Sequence, residues 1–298
     1  YAQITRNKIP DDIQNFYISH EGFIGVFNDE LKEDDYDDIE DNKIVREAND
    51  GWMGITDKYW MTVLVPEKGK NFKSTFQYND AFKANYIIND PIKINASSNG
   101  SNNFRLFVAA KEVNTIDTYA ETQNINKLDL VIDWGWFYFF TKPLFFVIDY
   151  LFKLSGNFGS AIVLITLAIR ALFFPLANFS FRSMAKMKAV TPEMTRLKEL
   201  YKDDKVKLQQ EMMALYRKEK INPASGCLPV LIQIPFFFAI YKMLFISLEM
   251  RHQPFFGWIK DLSAADPTSI FNAFGLIPWD PPSFMIIGIW PILMGASM

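Results

Sequence analysis

Residues 158–177 read FGSAIVLITLAIRALFFPLA, an apolar run that is interrupted by one charged residue, Arg170. About 20 such residues in a helix span the hydrocarbon core of a bilayer. A second run at residues 228–248, LPVLIQIPFFFAIYKMLFISL, has a similar length and contains Gln233. A third apolar run occupies residues 283–298 and starts a further span. We therefore expect a polytopic, α-helical membrane protein.

The charges between these runs predict their orientation. Residues 178–222 contain 11 Lys+Arg and 6 Asp+Glu, whereas residues 249–282 contain only two basic residues. Short loops rich in Lys and Arg stay in the cytoplasm, so 249–282 is expected on the outer side. Residues 1–127, with 14 basic and 21 acidic residues, then lie on the outer side too. Because the chain begins at Tyr1 without a signal-like segment and stops at Met298 inside an apolar run, we expect a piece of a longer protein.

The composition excludes several classes of protein. With 49% hydrophobic and 22% charged residues, the chain is neither disordered nor collagen-like. Its single cysteine, Cys227, cannot form an intrachain disulfide, and two histidines are too few for a His/Cys metal site. Motifs such as G-x-S-x-G, a phosphate loop and H-E-x-x-H are absent. We therefore expect no enzyme, no cofactor, no metal ion and no specific nucleic-acid sequence as a partner.

Residues 1–127 are typical of a β-sandwich. Short runs rich in aromatic and β-branched residues predict strands, with turn-forming residues between them. These runs lie at 23–27, 59–65, 85–88, 92–94 and 104–108, and the turns at 49–51, 66–69, 89–91 and 97–100. We expect further strands upstream. The acidic run at 29–41 lacks the glycine and terminal glutamate of an EF-hand, so we predict a solvated loop there.

Residues 128–157 predict a linker and an amphipathic helix. Ten of the nineteen residues from Trp134 to Phe152 are aromatic, yet Lys142, Pro143 and Asp149 interrupt them, and Lys153 follows. This mixture favours a helix that lies in the headgroup plane of a membrane. The alternative is a buried core helix of the preceding domain.

Residues 178–222 predict a basic helical hairpin. Apolar residues recur every three or four positions in both halves of this segment. They are Met184, Met187, Val190, Met194 and Leu197 in the first half and Leu208, Met212 and Leu215 in the second. Thr191-Pro192-Glu193 has the character of a helix N-terminus, so we expect the first arm to break or restart there.

Arg170 is the most informative residue, because a charge near the middle of a span costs roughly 2.5 to 3.5 kcal/mol. At about 1.5 Å per residue it lies roughly 10 Å from the inner end of its span, and Gln233 lies roughly 8 Å from the inner end of the next. Both could share one polar cavity, extended by Thr166 one turn earlier. The alternative is that Arg170 only snorkels to the cytoplasmic headgroups. For Lys242, near the outer end of its span, we favour outward snorkelling.

The hairpin residues allow two interpretations. Methionines such as Met187 and Met194 could form an adaptable surface for varied apolar segments, or they could pack the two arms together. Basic residues, among them Lys188, Arg217 and Lys218, could contact anionic headgroups or phosphates in either case.

The order and spacing of several motifs resemble the YidC family of membrane-protein insertases. The segments ITLAIRALFFPL, SMAKMKAVTPEM and LQQEMMALYRKEKINPASGCLPVLIQIPFFFAIYKML fall within a match over residues 133–266. Upstream, HEGFIGVFN, GWMGITDKYWMTVLVP and DWGWFYFFTKPLF are similar to the periplasmic domain and interfacial helix of the Gram-negative bacterial branch.

The resemblance implies a groove in the bacterial inner membrane, open to the cytoplasm and lipid, with Arg170, Thr166 and Gln233 as lining residues. It implies that the hairpin, including Met187, Lys188, Met194, Arg217 and Lys218, recruits nascent membrane proteins. It also implies a periplasmic place for 1–127 and 249–282, a folding role, and work alone or with the Sec translocon and ribosomes at the phospholipid bilayer.

A rival interpretation is a polytopic transporter or channel with an Arg/Gln solute site, since proline-bent helices around polar residues would serve that function too. It does not explain the Met-rich basic hairpin or the large outer domain. A structural partner of the translocon, in which Arg170 is dispensable, is a third possibility.

Overall fold

A computed structural model describes the chain except residues 11, 12, 14–18, 92–98, 203, 220–227, 265, 267, 278, 280, 281, 283–286 and 298. The predicted strand at 92–94, part of the turn at 97–100 and the start of the third apolar run lie outside the described residues. The chain forms two compact units. One comprises Tyr1–Thr141 with Lys242–Arg251, and the other comprises Lys142–Tyr241 with His252–Met298.

Nine strands are described in the first unit, and they form two antiparallel sheets. They are β1 (Ala2–Arg6), β2 (Gly22–Phe27), β3 (Glu30–Asp34), β4 (Ile44–Ala48), β5 (Gly51–Thr56), β6 (Trp60–Pro66), β7 (Phe72–Asn79), β8 (Ala81–Ile88) and β9 (Phe104–Ala110). One sheet has the order β1-β8-β7-β4 and the other the order β3-β2-β5-β6-β9. The predicted β-sandwich is confirmed, and β2, β6, β8 and β9 cover four of the five predicted strands.

An aromatic core lies between the two sheets. Phe23 of β2 contacts Phe76 of β7 at 5.0 Å between ring centroids, and Phe82 of β8 meets Tyr36 edge to face at 4.9 Å. Such ring pairs add about 0.5 to 1.5 kcal/mol each beyond the area that they bury. Trp52 of β5 is fully buried, and its indole N–H donates to the carbonyl oxygen of Asn126 at 3.1 Å.

The prediction of a solvated loop at residues 29–41 is wrong. The segment forms β3 and a short helix, α1 (Tyr36–Asp41), whose Tyr36 and Ile39 are buried in the core. Asp34 accepts two hydrogen bonds from the Arg46 guanidinium at 2.6 and 2.7 Å. The buried side chains, the bidentate ion pair and the antiparallel pairing of β3 with β2 together hold this acidic run in the fold.

Helices dominate the rest of the chain. They are α2 (Val113–Thr122), α3 (Tyr138–Ser155), α4 (Phe158–Leu200), α5 (Lys205–Lys218), α6 (Leu228–Ile246) and α7 (Ile289–Ser297), with 3₁₀ turns at Leu128–Val131 and Ile270–Gly275. Two of them, α4 and α6, are long and apolar enough to cross a membrane, with mean hydropathies of 2.1 and 1.8 in their most apolar windows. The predicted helical membrane part is confirmed as a fold class.

The hairpin of α4 and α5 differs from its prediction in one respect. The helix α4 continues through Pro192 without a break, and the Thr191 hydroxyl donates to the carbonyl oxygen of Met187 at 3.2 Å instead of capping a new helix. The predicted break at residues 191–193 is therefore wrong. Packing explains the continuity, because Val190 is buried against Leu215 of α5. The boundary predicted at 177/178 falls inside this helix and stays a prediction.

Candidate functional site

Arg170 and Thr166 lie on the exposed surface of α4, one turn apart. The Thr166 hydroxyl donates to the carbonyl oxygen of Ile162 at 2.7 Å, which satisfies its proton within the helix. Apolar side chains such as Leu167 and Leu172 are 60% and 68% exposed nearby. Arg170 therefore places a positive charge on a helix surface that is otherwise suited to hydrocarbon.

Gln233 is half-buried on α6, which contacts α4 through one pair of aromatic rings. The rings of Phe173 and Phe236 meet edge to face, with centroids 5.0 Å apart and planes inclined by 78°. Each ring lies three residues after a candidate residue, Arg170 on α4 and Gln233 on α6. The candidates are therefore on neighbouring helices, within one turn of the same contact.

Thr166, Arg170 and Gln233 form what we call the ladder, with two polar residues one turn apart on α4 and one on the neighbouring α6. Their relative depth in a membrane stays a prediction.

The hairpin candidates divide into two groups. Met187 and Met194 are half-buried against Val190 and Leu215, and the Tyr216 hydroxyl lies 3.9 Å from the Met194 sulfur. This favours the packing interpretation for both methionines.

The basic candidates Lys188, Arg217 and Lys218 are exposed. Arg217 and Lys218 occupy the last turn of α5, where positive charge complements the helix dipole. All three are accessible to anionic partners.

The helix α3 presents an aromatic face. Phe145 and Ile148 are buried, while Phe139 and Tyr150 are 64% and 66% exposed on its other side. A salt bridge of 2.6 Å joins Lys153 to Asp149 at i,i+4. The helix starts at Tyr138, four residues later than the predicted aromatic segment, and its exposed aromatic side chains do not suit a helix buried all round.

Two protein families match this chain, one in each half. Residues 1–147 match the YidC periplasmic domain, and residues 150–298 match the family described as 60Kd inner membrane protein. The chain belongs to the YidC family.

Three relatives, each named membrane protein insertase YidC, show the extent of the likeness to YidC. The protein of Pelagibacter ubique is 63% identical over 298 residues, covering 100% of this chain and 53% of the relative. That of Brucella melitensis is 50% identical over 304 residues, covering 100% and 50%. That of Rickettsia conorii is 50% identical over 289 residues, covering 94% and 51%. The chain thus spans about half the length of the curated YidC relatives that it matches.

A second cluster of polar residues was not predicted from the sequence. Lys242 of α6 donates to Asp133 Oδ2 at 2.6 Å, and the two side chains are only 13% and 19% exposed. The backbone N–H of His20 donates to the same oxygen at 2.8 Å, and that of Gly135 donates to Asp133 Oδ1 at 2.9 Å. Lys242 is therefore paired, and the expectation that it snorkels outward stays a prediction.

The electrostatics of this cluster follow from burial and pairing. Burial alone would raise the pKa of Asp133, but the Lys242 ammonium and the two backbone N–H groups outweigh it, so the pKa is lowered. Burial lowers the pKa of the nearby Lys111 to about 8, although Asp133 and two other carboxylates oppose that shift. The cluster therefore keeps Asp133 ionised and places a weakly basic lysine beside it.

A sequence signal for the Asp133–Lys242 pair exists but is faint. A lone lysine in an apolar span and a lone aspartate in the aromatic DWGW segment are both costly, and opposite charges in such surroundings are stabilised by pairing. Their separation of 109 residues hides the partnership. Among the residues that the structure describes, no group of three or more His, Cys, Asp and Glu side chains could hold a metal ion.

Proposed function

We propose that this chain is part of a membrane-protein insertase in which α4 and α6 guide the polar segment of an incoming chain. The observation that carries the proposal is Arg170, exposed on an apolar helix that contacts α6 one turn away from Gln233. The relatives named membrane protein insertase YidC support the same function.

The proposed mechanism is electrostatic and involves no covalent chemistry or cofactor. A short acidic tail that crosses hydrocarbon loses its hydration, which costs several kcal/mol per charge. Arg170 compensates part of this cost by offering a positive charge, and Thr166 and Gln233 offer hydrogen-bonding groups along the ladder. The apolar segment of the substrate then leaves sideways into lipid.

The hairpin has the proposed role of first contact with nascent membrane proteins. Lys188, Arg217 and Lys218 supply exposed positive charge. Since Met187 and Met194 pack the two arms, their contribution is to hold the hairpin together. Ribosomes and the Sec translocon are proposed partners of the complete protein.

The proposed topology places residues 1–127 and 249–282 in the periplasm and 178–222 in the cytoplasm of a bacterium. It makes the protein a multi-pass component of the inner membrane. The exposed aromatic face of α3 supports a position in the outer headgroup layer, with residues such as Phe139 and Tyr150 in contact with lipid.

Photocrosslinking tests this proposal. A photoreactive residue is placed at position 166, 170 or 233 of the full-length protein while it receives a nascent single-span substrate with an acidic tail. Position 172, exposed on another face of α4, is the matched control. We expect crosslinks from the three positions to the polar tail and fewer from 172. Absence of crosslinks, together with saturable solute flux, would favour a transporter.

A further inference from the structure

The outer end of α6 belongs to the compact unit that contains the two β-sheets. Residues Lys242–Arg251 belong to the same compact unit as Tyr1–Thr141. We call this segment, Lys242–Arg251, the docked segment. It comprises the last five residues of α6 and the turn that follows.

Four contacts join the docked segment to other residues of its compact unit. At its start, Lys242 pairs with Asp133 at 2.6 Å, and in the next turn the Phe245 ring lies under the Lys58 ammonium at 3.9 Å. Glu249 Oε1 accepts the backbone N–H of Val113 at 3.0 Å. At the end of the segment, the Arg251 guanidinium stacks on the Tyr59 ring at 4.8 Å. The contacts thus extend along the whole segment.

The Asp133–Lys242 pair is the strongest of these contacts for a physical reason. Both side chains are largely withdrawn from solvent, and Asp133 is already oriented by the N–H groups of His20 and Gly135. A preoriented carboxylate binds an ammonium with little further loss of side-chain freedom. Removing either charge leaves the other with incomplete compensation in a poorly hydrated site.

The sequence of α6 explains why its outer end needs such a support. Pro235 lies inside the helix, where it removes one backbone hydrogen bond and favours a bend. Gln233 precedes this proline by two residues, and Lys242 follows Gln233 by nine, about 13.5 Å along the helix. The helix α6 nevertheless continues unbroken from Leu228 to Ile246, so fixing its outer end also restricts the position of Gln233.

We propose that Asp133 is a positioning residue of the insertase, which acts by holding Lys242 and thereby fixing the helix that carries Gln233. This inference rests on the proposed function of Gln233. It assigns to Asp133, two residues after the 3₁₀ turn Leu128–Val131, the task of anchoring the outer end of α6.

The test uses full-length protein with two measurements. Hydrogen exchange of the docked segment reports the anchor itself, and photocrosslinking from position 233 to a nascent substrate reports the position of the helix. The variants are Asp133→Asn, Lys242→Met and the double variant. Lys242→Arg keeps the charge, and Lys73→Met removes a lysine from an exposed pair with Glu47, 3.9 Å apart, as the matched control.

The proposal predicts that each single variant exchanges the docked segment at least tenfold faster and reduces crosslinking from position 233 severalfold. The double variant should be no worse than the more severe single one, because both residues act through one pair. Lys242→Arg should leave hydrogen exchange and crosslinking near the levels of the unaltered protein, because it keeps the charge. Lys73→Met should also change neither measurement. Crosslinking from the hairpin at position 217 should stay constant in every variant.

The outcomes separate the two proposals. Unchanged exchange in Asp133→Asn overturns the anchor, and faster exchange with unchanged crosslinking from 233 overturns the positioning role. If the unaltered protein gives no crosslink from 233, the proposed groove function fails, while the exchange measurement still decides whether the anchor exists.

Discussion

Phe173 of α4 and Phe236 of α6 meet edge to face with their ring centroids 5.0 Å apart. The contact lies between the two helices that carry Arg170 and Gln233. Both rings are half-buried.

A double-mutant cycle measures the strength of this contact. We expect Phe173→Leu and Phe236→Leu each to lower the free energy of unfolding, with a coupling of about 1 kcal/mol between them, because the edge-to-face geometry is lost in either variant. The measurement is reversible unfolding of the full-length protein in mixed micelles. Strict additivity of the two substitutions would show that the rings do not interact.

The stability of the α4–α5 hairpin depends on the packing of Leu215. This side chain is 8% exposed and packs on Val190, so Leu215→Ala should cost about 2 kcal/mol or more of local stability. Hydrogen exchange of α5 is expected to accelerate accordingly. Met213, which is 50% exposed on the same helix, provides the control, and Met213→Ala should leave exchange unchanged. Equal effects of the two substitutions would contradict the packing described for the hairpin.

Because Lys111 is buried, we expect an unusual dependence of the protein's stability on pH. Burial lowers its pKa from 10.5 to about 8 in the folded chain. Between these values the unfolded chain binds the extra proton, so stability should rise as pH increases from about 8 to 10.5. Lys111→Met should remove this rise and stabilise the protein at pH 7 by on the order of 3 kcal/mol. Thermal unfolding across this pH range measures both effects, and an unchanged slope would contradict the burial of the charge.

Local sequence pattern predicted the elements that follow local rules. The strands β2, β6, β8 and β9 are rich in β-branched and aromatic residues, and the two long apolar helices have the length of spans. The hairpin followed from the spacing of its apolar residues. The lone charge in an apolar run indicated Arg170, helical spacing added Thr166, and depth within the next span added Gln233. The structure places these three residues on two neighbouring helices.

What the sequence did not predict depends on contacts between distant residues. The acidic segment at 29–41 folds because Asp34 finds Arg46 and Tyr36 enters an aromatic core, neither of which its charge suggests. Pro192 is tolerated in α4 because α5 packs beside it. Lys242 finds Asp133 across 109 residues, a pairing that only the tertiary fold creates.

The central claim is tested most directly by measuring how efficiently the Arg170→Ala variant inserts a substrate that carries an acidic tail. Full-length protein is reconstituted into vesicles, and a Sec-independent single-span substrate is supplied with either an acidic or a neutral tail. Arg170→Lys, which keeps the charge, and Arg182→Ala, which removes an exposed arginine from the same helix, are the controls. We predict that Arg170→Ala inserts the acidic-tailed substrate at least tenfold less well while the neutral-tailed substrate and both controls stay near the unaltered level. Unchanged insertion of the acidic-tailed substrate by Arg170→Ala would contradict the proposed role of this charge.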